Sequence, residues 1–201
     1  MKILIKNGMI VSDSETYQAD ILIENEKVKW IGTDLPKTDV DTVIDAEGKY
    51  VIPGAIDVHT HMDIDVGIAR AVDDFYDGTV AAACGGTTSI VDHMGFGPAG
   101  VPLHYQFNEY KKLTEGKAVI DYGFHGVAQH VDDDIIAELE TMAEDGIPSV
   151  KAYLTYGFKL NDAEILQILK KMKEIGGVTA FHCENHELVE YMRKKLVEEG
   201  K

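Results

Sequence analysis

The sequence predicts an α/β protein that begins with a small β-domain. Two observations lead to this prediction. Short apolar runs separated by turns fill residues 1–52, whereas from Pro53 onward strand-like runs alternate with amphipathic helical segments. Strands that alternate with helices indicate a parallel sheet, which is either doubly wound or closed into a (β/α)₈ barrel. The two domains are therefore expected at residues 1–52 and 53–201.

The predicted β-domain is built from short strands and polar turns. An Asn-Gly pair at residues 7–8, within KILIKNGMIV, is a strong hairpin signal. A second turn is predicted at residues 25–26, inside the alternating run ADILIENEKVKWIG. The run TVIDAEGKYVIPG adds two further short strands around residues 47–48.

The second domain carries five strand candidates with helices between them. The strands are predicted at Ala55–His61, Thr87–Asp92, Val119–His125, Pro148–Thr155 and Val178–His182. Apolar stripes at helical spacing predict three helices, with stripes at Ile135/Ile136/Leu139/Met142, Ile165/Ile168/Leu169/Met172 and Leu188/Tyr191/Met192/Leu196. The second of these helices follows a capping box at residues 161–164. A barrel needs eight units and about 250 residues, so the domain is either a small open sheet or a barrel cut short at its C-terminal end.

Composition excludes several classes of partner. The chain has 201 residues, 45% of them apolar, and a formal net charge of −16. Because nucleic acids and anionic membrane surfaces would repel this charge, we expect neither as a partner. The two cysteines, Cys84 and Cys183, form no disulfide framework and fit a reducing cytoplasm. The N-terminal run MKILIKNGMIV lacks the features of a signal peptide, and no stretch has the length of a membrane span, so a cytoplasmic protein is expected.

Two histidines one residue apart, His59 and His61, end the first strand of the second domain. Side chains two apart in a strand share a face, so both imidazoles should point the same way. They are either structural histidines, each with its own hydrogen-bond partner, or an incomplete metal site at the carboxyl end of a barrel strand, where the active sites of such barrels lie. His93 and His125, at the ends of the next two strands, are expected to pack near the pocket or support it.

Lys151 interrupts the apolar strand IPSVKAYLTY. Inside a barrel its side chain would point into the lumen, where an unpaired ammonium is costly. Lys151 is therefore either a solvated residue of an edge strand or has reacted with carbon dioxide to form a carbamate, an anion that can bridge two metal ions. His182 ends the fifth strand and becomes a further candidate ligand by its equivalent position. The neighbouring Cys183 is expected to be a small buried residue that faces away from the lumen.

These motifs together resemble one enzyme family. HTH at residues 59–61, DDFYDGT and AAACGGTT within residues 73–88, SVKAYLTY and FHCEN are similar, in order and spacing, to the dihydropyrimidinase/D-hydantoinase branch of the amidohydrolase superfamily. VDHMGFGPAG and FHGVAQH further resemble bacterial phenylhydantoinases. The resemblance covers essentially the whole chain. It implies a partial (β/α)₈ TIM barrel, about five of its eight units, preceded by a small β-sandwich-type domain.

The resemblance implies a role for each matching residue. His59 and His61 would hold the more buried of two zinc ions. Lys151, as N6-carboxylysine, would bridge the two ions, and His182 would hold the second. Tyr156 would contact the substrate and donate a hydrogen bond to the developing oxyanion, although its spacing alone fits a rim aromatic equally well. The family also uses a further histidine and an aspartate on later strands, which this chain lacks, so the segment alone is expected to be inactive.

The implied activity is hydrolysis of the cyclic amide C–N bond in dihydropyrimidines or 5-substituted hydantoins, by a homotetramer. Dihydroorotases usually carry an Arg two residues after the second histidine, whereas Asp63 stands here. Asp63 is either a plain turn residue or a group that would repel a substrate carboxylate and so favour a neutral ring. Residues 62–72 match the loop that shapes the pocket for the ring substituent in hydantoinases. The alternatives are an allantoinase- or dihydroorotase-like enzyme, or a non-catalytic dihydropyrimidinase-related scaffold, which typically has lost metal ligands that this chain keeps.

Overall fold

The computed structural model describes residues 1–201 and divides them into two compact units, Met1–Gly54 and Ala55–Lys201. No helix in it is both long enough and apolar enough to cross a bilayer. Its elements, in chain order, are β1 (Lys2–Val11), β2 (Thr16–Glu24), β3 (Lys27–Gly32), β4 (Thr42–Asp45), β5 (Tyr50–Val51), β6 (Ala55–Thr60), α1 (Phe75–Cys84), β7 (Thr87–His93), α2 (Leu103–Thr114), β8 (Asp121–Val127), α3 (Asp133–Glu144), β9 (Ser149–Tyr153), α4 (Asp162–Glu174), β10 (Val178–His182) and α5 (His186–Glu198).

The N-terminal unit is a mixed five-stranded sheet in the order β3-β2-β1-β4, with β5 also paired to β1. The predicted turn at residues 25–26 joins β2 to β3, and both of its residues have positive φ, as a tight hairpin requires. The strands predicted around residues 47–48 are β4 and β5, which both run parallel to β1. Ile10, Ala19 and Ile21 form the small core of this sheet. The predicted β-domain is confirmed.

The hairpin predicted at residues 7–8 is wrong. Both residues lie inside β1, at a bulge between Ile5 and Gly8 where Asn7 has φ +63°. The Asp20 carboxylate accepts a 2.9 Å hydrogen bond from the backbone N–H of Asn7, which replaces the bond that the bulge removes from the ladder. A Cβ at Gly8 would lie 2.5 Å from Val51 Cγ2. The left-handed preference of Asn and the small size of Gly therefore serve a bulge here instead of a turn.

The C-terminal unit is a five-stranded parallel sheet in the order β10-β9-β8-β7-β6. Each strand lies beside its predecessor in the chain, with no reversal of strand order, which is the arrangement of a barrel segment and not of a doubly wound sheet. Its core lies between the sheet and the first four helices and includes Phe75, Phe124, Leu139, Val150 and Ile168. The predicted partial barrel is confirmed.

The predicted start of α4 is confirmed in detail. Asn161 Oδ1 accepts a 3.1 Å hydrogen bond from the Glu164 N–H, and Glu164 Oε2 accepts one of 2.7 Å from the Asn161 N–H. This capping box satisfies two backbone donors at the first turn. The stripe behind it packs inward through Ile168 and Met172, which are buried.

The predicted stripe of α5 is present, but none of its residues is buried. Leu188 and Tyr191 are 63% and 62% exposed. The helix itself is formed, with Asn185 as its N-cap accepting a 2.9 Å bond from the Leu188 N–H. An apolar stripe thus indicates a helix reliably, while its burial depends on what lies beside it.

Candidate functional site

The candidate residues lie on the parallel sheet at or near the carboxyl ends of strands. His59 belongs to β6 and His61 follows the end of that strand, whereas His182 is the last residue of β10. Lys151 lies within β9, where it pairs in register with Ala180 of β10. In parallel β/α sheets this edge is the place where loops and strand ends build active sites.

His59 and His61 come together as their spacing predicts, and two more histidines join them. The ring centroids of His59 and His61 are 5.2 Å apart, and the ring of His93 lies 4.1 Å from His59 and 5.3 Å from His61. His125 stacks on His93 at 4.3 Å. The supporting position expected for His93 and His125 agrees with this cluster of four imidazoles.

His125 and His93 are held differently within this cluster. The Nδ1 atom of His125 lies 2.5 Å from Ser149 Oγ, and its Nε2 lies 2.9 Å from the carbonyl oxygen of Val58, so this ring links three strands. His93 is only 2% exposed, and its Nδ1 has no hydrogen-bond partner. A buried ring nitrogen without a partner is unusual in a folded protein.

The environment favours the neutral form of His59, His61 and His93. Burial lowers the pKa of both His59 and His61, and the positive charge of Lys151 lowers each further. Burial and the neighbouring histidines lower the pKa of His93 to about 3. A neutral imidazole is the form that coordinates a metal ion. Lys151 therefore lies near enough to both rings to act on them electrostatically.

Lys151 is a buried lysine without an anionic partner. It is 5% exposed, and β9 is an inner strand between β8 and β10, so the alternative of a solvated lysine on an edge strand is wrong. Burial lowers its pKa, and no carboxylate opposes that effect. Its Nζ lies 5.7 Å from the ring centroid of Tyr153. A lowered pKa increases the neutral amine, which is the form that reacts with carbon dioxide.

Tyr156 and His182 form a second group. The Tyr156 hydroxyl lies 3.2 Å from His182 Nε2, and Glu184 Oε1 lies 3.2 Å from the same nitrogen. Tyr156 is beyond the end of β9, has φ +69° and is 48% exposed. It is therefore accessible at the strand edge, as a residue that contacts a substrate must be.

The side chains at this site are of the types that bind metal ions, but they do not form a complete coordination site. Imidazole nitrogens are ligands that zinc prefers, and Lys151 and the partnerless His93 Nδ1 leave polar groups that no protein atom satisfies. However, no three His, Cys, Asp or Glu side chains gather as a metal site. The pair His59/His61 is assembled, whereas His182 is engaged with Tyr156 and Glu184. The four-residue ligand set stays a prediction.

The prediction for Cys183 is wrong. Its side chain is exposed and not buried. The prediction assumed that side chains keep alternating between the two faces of β10. Because β10 ends at His182, the alternation does not extend to the next residue.

Asp63 is not free to face a substrate. Its side chain is 7% exposed, Oδ1 accepts a 2.6 Å hydrogen bond from Arg70, and Lys117 Nζ lies 3.7 Å from Oδ2. The expected repulsion of a substrate carboxylate by Asp63 therefore loses its basis, because two cations already neutralise this group.

Asp92 is a buried residue of this region that was not predicted as a site residue. It is 0% exposed, and its Oδ2 accepts hydrogen bonds from Thr60 Oγ1 at 2.6 Å and from the Met62 N–H at 2.8 Å. The only signal in the sequence is an acidic residue inside the strand TTSIVDH. Such a residue is costly to bury, which marks it as a candidate for a special role.

Residues 50–201 match the model of the amidohydrolase family, which agrees with a β/α sheet that carries a histidine pair and a buried lysine. The chain belongs to the amidohydrolase family. It is 50% identical over 200 residues to the D-phenylhydantoinase of Escherichia coli O1:K1, a match that covers 100% of this chain and 43% of that protein.

Solved structures give the same relationship. A crystal structure of a D-hydantoinase superposes with a TM-score of 0.95 at 40% identity. The match covers 100% of this chain and 44% of the D-hydantoinase chain. The dihydropyrimidinase from Brevibacillus agri gives 0.95 at 43% identity, with the same coverage of 100% and 44%. The chain thus spans less than half the length of the relatives that it matches.

Proposed function

We propose that this chain contributes the N-terminal part of an enzyme that hydrolyses the cyclic amide bond of dihydropyrimidines or 5-substituted hydantoins. The observation that carries the proposal is the histidine pair His59/His61, with the buried, unpaired Lys151 near enough to lower the pKa of both rings. Similarity to a D-phenylhydantoinase and to a dihydropyrimidinase supports the substrate class. The substrate would be a small cyclic amide or ureide.

In this proposal the ring nitrogens of His59 and His61 hold one of two zinc ions. Lys151, as a carbamate, would be a ligand shared by the two ions, and His182 would hold the second. When bound, the zinc pair supplies a water nucleophile that is activated near neutral pH. The lowered pKa values of His59 and His61 support this role, because they keep both rings free of a competing proton.

Tyr156 would stabilise the negative charge that develops on the substrate carbonyl oxygen. Its hydroxyl is a hydrogen-bond donor beside His182, and its side chain is half-exposed, so a bound ring can reach it. A donor aimed at such an oxygen is worth about 2.7–4 kcal/mol in the transition state. The proton for the leaving nitrogen would come from a residue outside these 201 residues, so we propose that the chain alone is inactive.

Two alternatives remain for the complete protein. A dihydroorotase- or allantoinase-like activity stays open because Asp63 is paired with Arg70 and leaves no free carboxylate to repel an acidic ring. A non-catalytic scaffold is the other alternative. Against it stands the candidate ligand set, which is intact in the sequence.

The test is a substrate panel with the zinc-loaded, full-length protein: dihydrouracil, 5-phenylhydantoin, allantoin and dihydroorotate. Ring opening of the first two is expected. His61→Asn should lose this turnover, whereas the control His104→Asn, on α2, should keep it. Turnover of dihydroorotate or allantoin alone would support the second activity, and no turnover of any ring would support the scaffold. The homotetramer, the cytoplasmic location and the absence of nucleic-acid and membrane partners remain predictions.

A further inference from the structure

The backbone ladder does not hold the histidine pair in a regular way. In β6, Asp57 pairs with Ile90 of β7, and Thr60 pairs with Asp92. Three steps along β6 thus match two steps along β7. This mismatch is a β-bulge that lies between Asp57 and Thr60 and includes His59. A bulge interrupts the ladder and re-aims the side chains beside it. Something other than the ladder must therefore fix the direction of these histidines.

Asp92 supplies that fixation through one oxygen atom. Its Oδ2 accepts hydrogen bonds from the Thr60 hydroxyl at 2.6 Å and from the Met62 N–H at 2.8 Å. One of these groups directly precedes His61 and the other directly follows it. Bonds to a carboxylate are shorter and stronger than neutral ones. They hold the Thr60 side chain before His61 and the Met62 backbone after it.

Stability alone does not explain this carboxylate. Asp92 is completely buried, no cation pairs with it, and its Oδ1 has no hydrogen-bond partner. Burial of a charged group with an unsatisfied oxygen is unfavourable. An apolar residue would suit the interior better, unless the contacts with Thr60 and Met62 serve the site.

We propose that Asp92 is a positioning residue for the metal-binding pair His59/His61. It does not touch the metal or the substrate. By holding Thr60 and Met62 at the bulged end of β6, it fixes where the ring of His61 points and its separation from His59. Removal of a residue that orients a metal ligand typically lowers the metal affinity about 10- to 100-fold. This inference rests on the proposed function, since it requires that the pair binds a metal ion.

The experiment measures zinc affinity by competition with a chelator, and the visible spectrum of the cobalt-substituted, full-length protein. Asp92→Ala and Thr60→Val are expected to weaken zinc binding about 10- to 100-fold and to alter the cobalt spectrum. Thr60→Ser, which keeps the hydroxyl, is expected to stay within about threefold of the wild type. Thr60→Val also keeps the test valid if Asp92→Ala does not fold.

The matched control is Asp132→Ala. Asp132 caps α3 by accepting a 2.8 Å bond from the Ile135 N–H, so its loss destabilises the same unit without touching β6. Zinc affinity and the cobalt spectrum should not change in this variant. The positioning role would be overturned if both Asp92→Ala and Thr60→Val bound zinc with wild-type affinity, or if Asp132→Ala lost as much zinc affinity as they do. Either result would leave the proposed function standing. A wild-type protein that binds no zinc would overturn the proposed function together with this inference.

Discussion

The hydroxyl of Tyr156 lies 3.2 Å from His182 Nε2, although Tyr156 follows β9 and His182 ends β10. The positive φ of Tyr156, +69°, turns the chain back after β9 and makes this contact. Non-glycine residues rarely take this conformation, which costs on the order of 1–3 kcal/mol and concentrates at functional sites. The backbone thus places a phenol beside a candidate zinc ligand.

Tyr156→Phe should lower kcat of the full-length enzyme about 10²- to 10³-fold, because the variant lacks the donor for the developing oxyanion. KM and the zinc content should change little, since the ring and its packing remain. Steady-state kinetics and metal analysis give both values. Tyr105→Phe on α2 is the control, and an equal loss of kcat there, or full activity in Tyr156→Phe, would contradict the role of Tyr156.

Lys151→Met should separate stability from function. In the metal-free protein it removes a buried ammonium that has no carboxylate partner, so the free energy of unfolding should rise by about 1 kcal/mol or more. In the zinc-treated protein the same variant should lose the bridging ligand, and with it metal and activity. Urea unfolding and metal analysis measure the two effects.

Lys151→Arg is the matched variant for this prediction. It keeps a positive charge but cannot form the carbamate, so it should lose zinc without the gain in stability. If either variant retained full zinc occupancy and activity, Lys151 would not be a ligand.

The stability of the metal-free protein should carry a pH signature from Asp92. Burial raises the pKa of this carboxyl from 3.8 to about 6, so the folded state binds its proton more tightly than the unfolded chain does. The resulting stabilisation is present below pH 3.8 and is lost as the pH rises through 6, an effect on the order of 3 kcal/mol. Asp92→Asn should not show this loss.

The measurement is the difference in unfolding free energy between wild type and Asp92→Asn, from pH 4 to pH 7. The wild type should lose about 2 kcal/mol relative to the variant over this range. Parallel curves, or a wild type that gains stability, would show that the pKa of Asp92 is not raised.

The Asp63–Arg70 contact should control the order of the loop that follows the histidine pair. Within this loop the Ala71 N–H donates to Ile64 O at 2.9 Å. Arg70 is 55% exposed, so the ion pair contributes only about 1 kcal/mol, or roughly a fivefold change in loop opening. In Arg70→Ala, amide hydrogen exchange at residues 64–71 should accelerate about fivefold, whereas the control Arg193→Ala on α5 should leave it unchanged. Unchanged exchange in Arg70→Ala would contradict this anchoring.

Local signals predicted much of the fold. The capping box at Asn161, the strand that carries His59 and the alternation of strands with helices all follow from neighbours in the sequence. The Asn-Gly pair at residues 7–8 failed because one conformational preference serves both a hairpin and a bulge. Local pattern also could not show that α5 stays exposed, because burial depends on distant segments.

The candidate site was predictable only in part. The shared face of His59 and His61 follows from the two-residue period of a strand. The inner-strand position of Lys151 and the contacts of Asp92 depend on which strands become neighbours, which no local pattern states. Asp63 was misjudged for the same reason, since its partner Arg70 reaches it only through the fold of the loop.

The central claim is that His59, His61, carboxylated Lys151 and His182 hold two zinc ions. Anomalous X-ray diffraction at the zinc edge, from crystals of the zinc-loaded, full-length protein, tests it most directly. The expected result is two peaks about 3.5–4 Å apart, with extra density for a carboxyl group on Lys151 Nζ between them. A map with no zinc peak at these residues, or with an unmodified Lys151 apart from the metal, would contradict the claim.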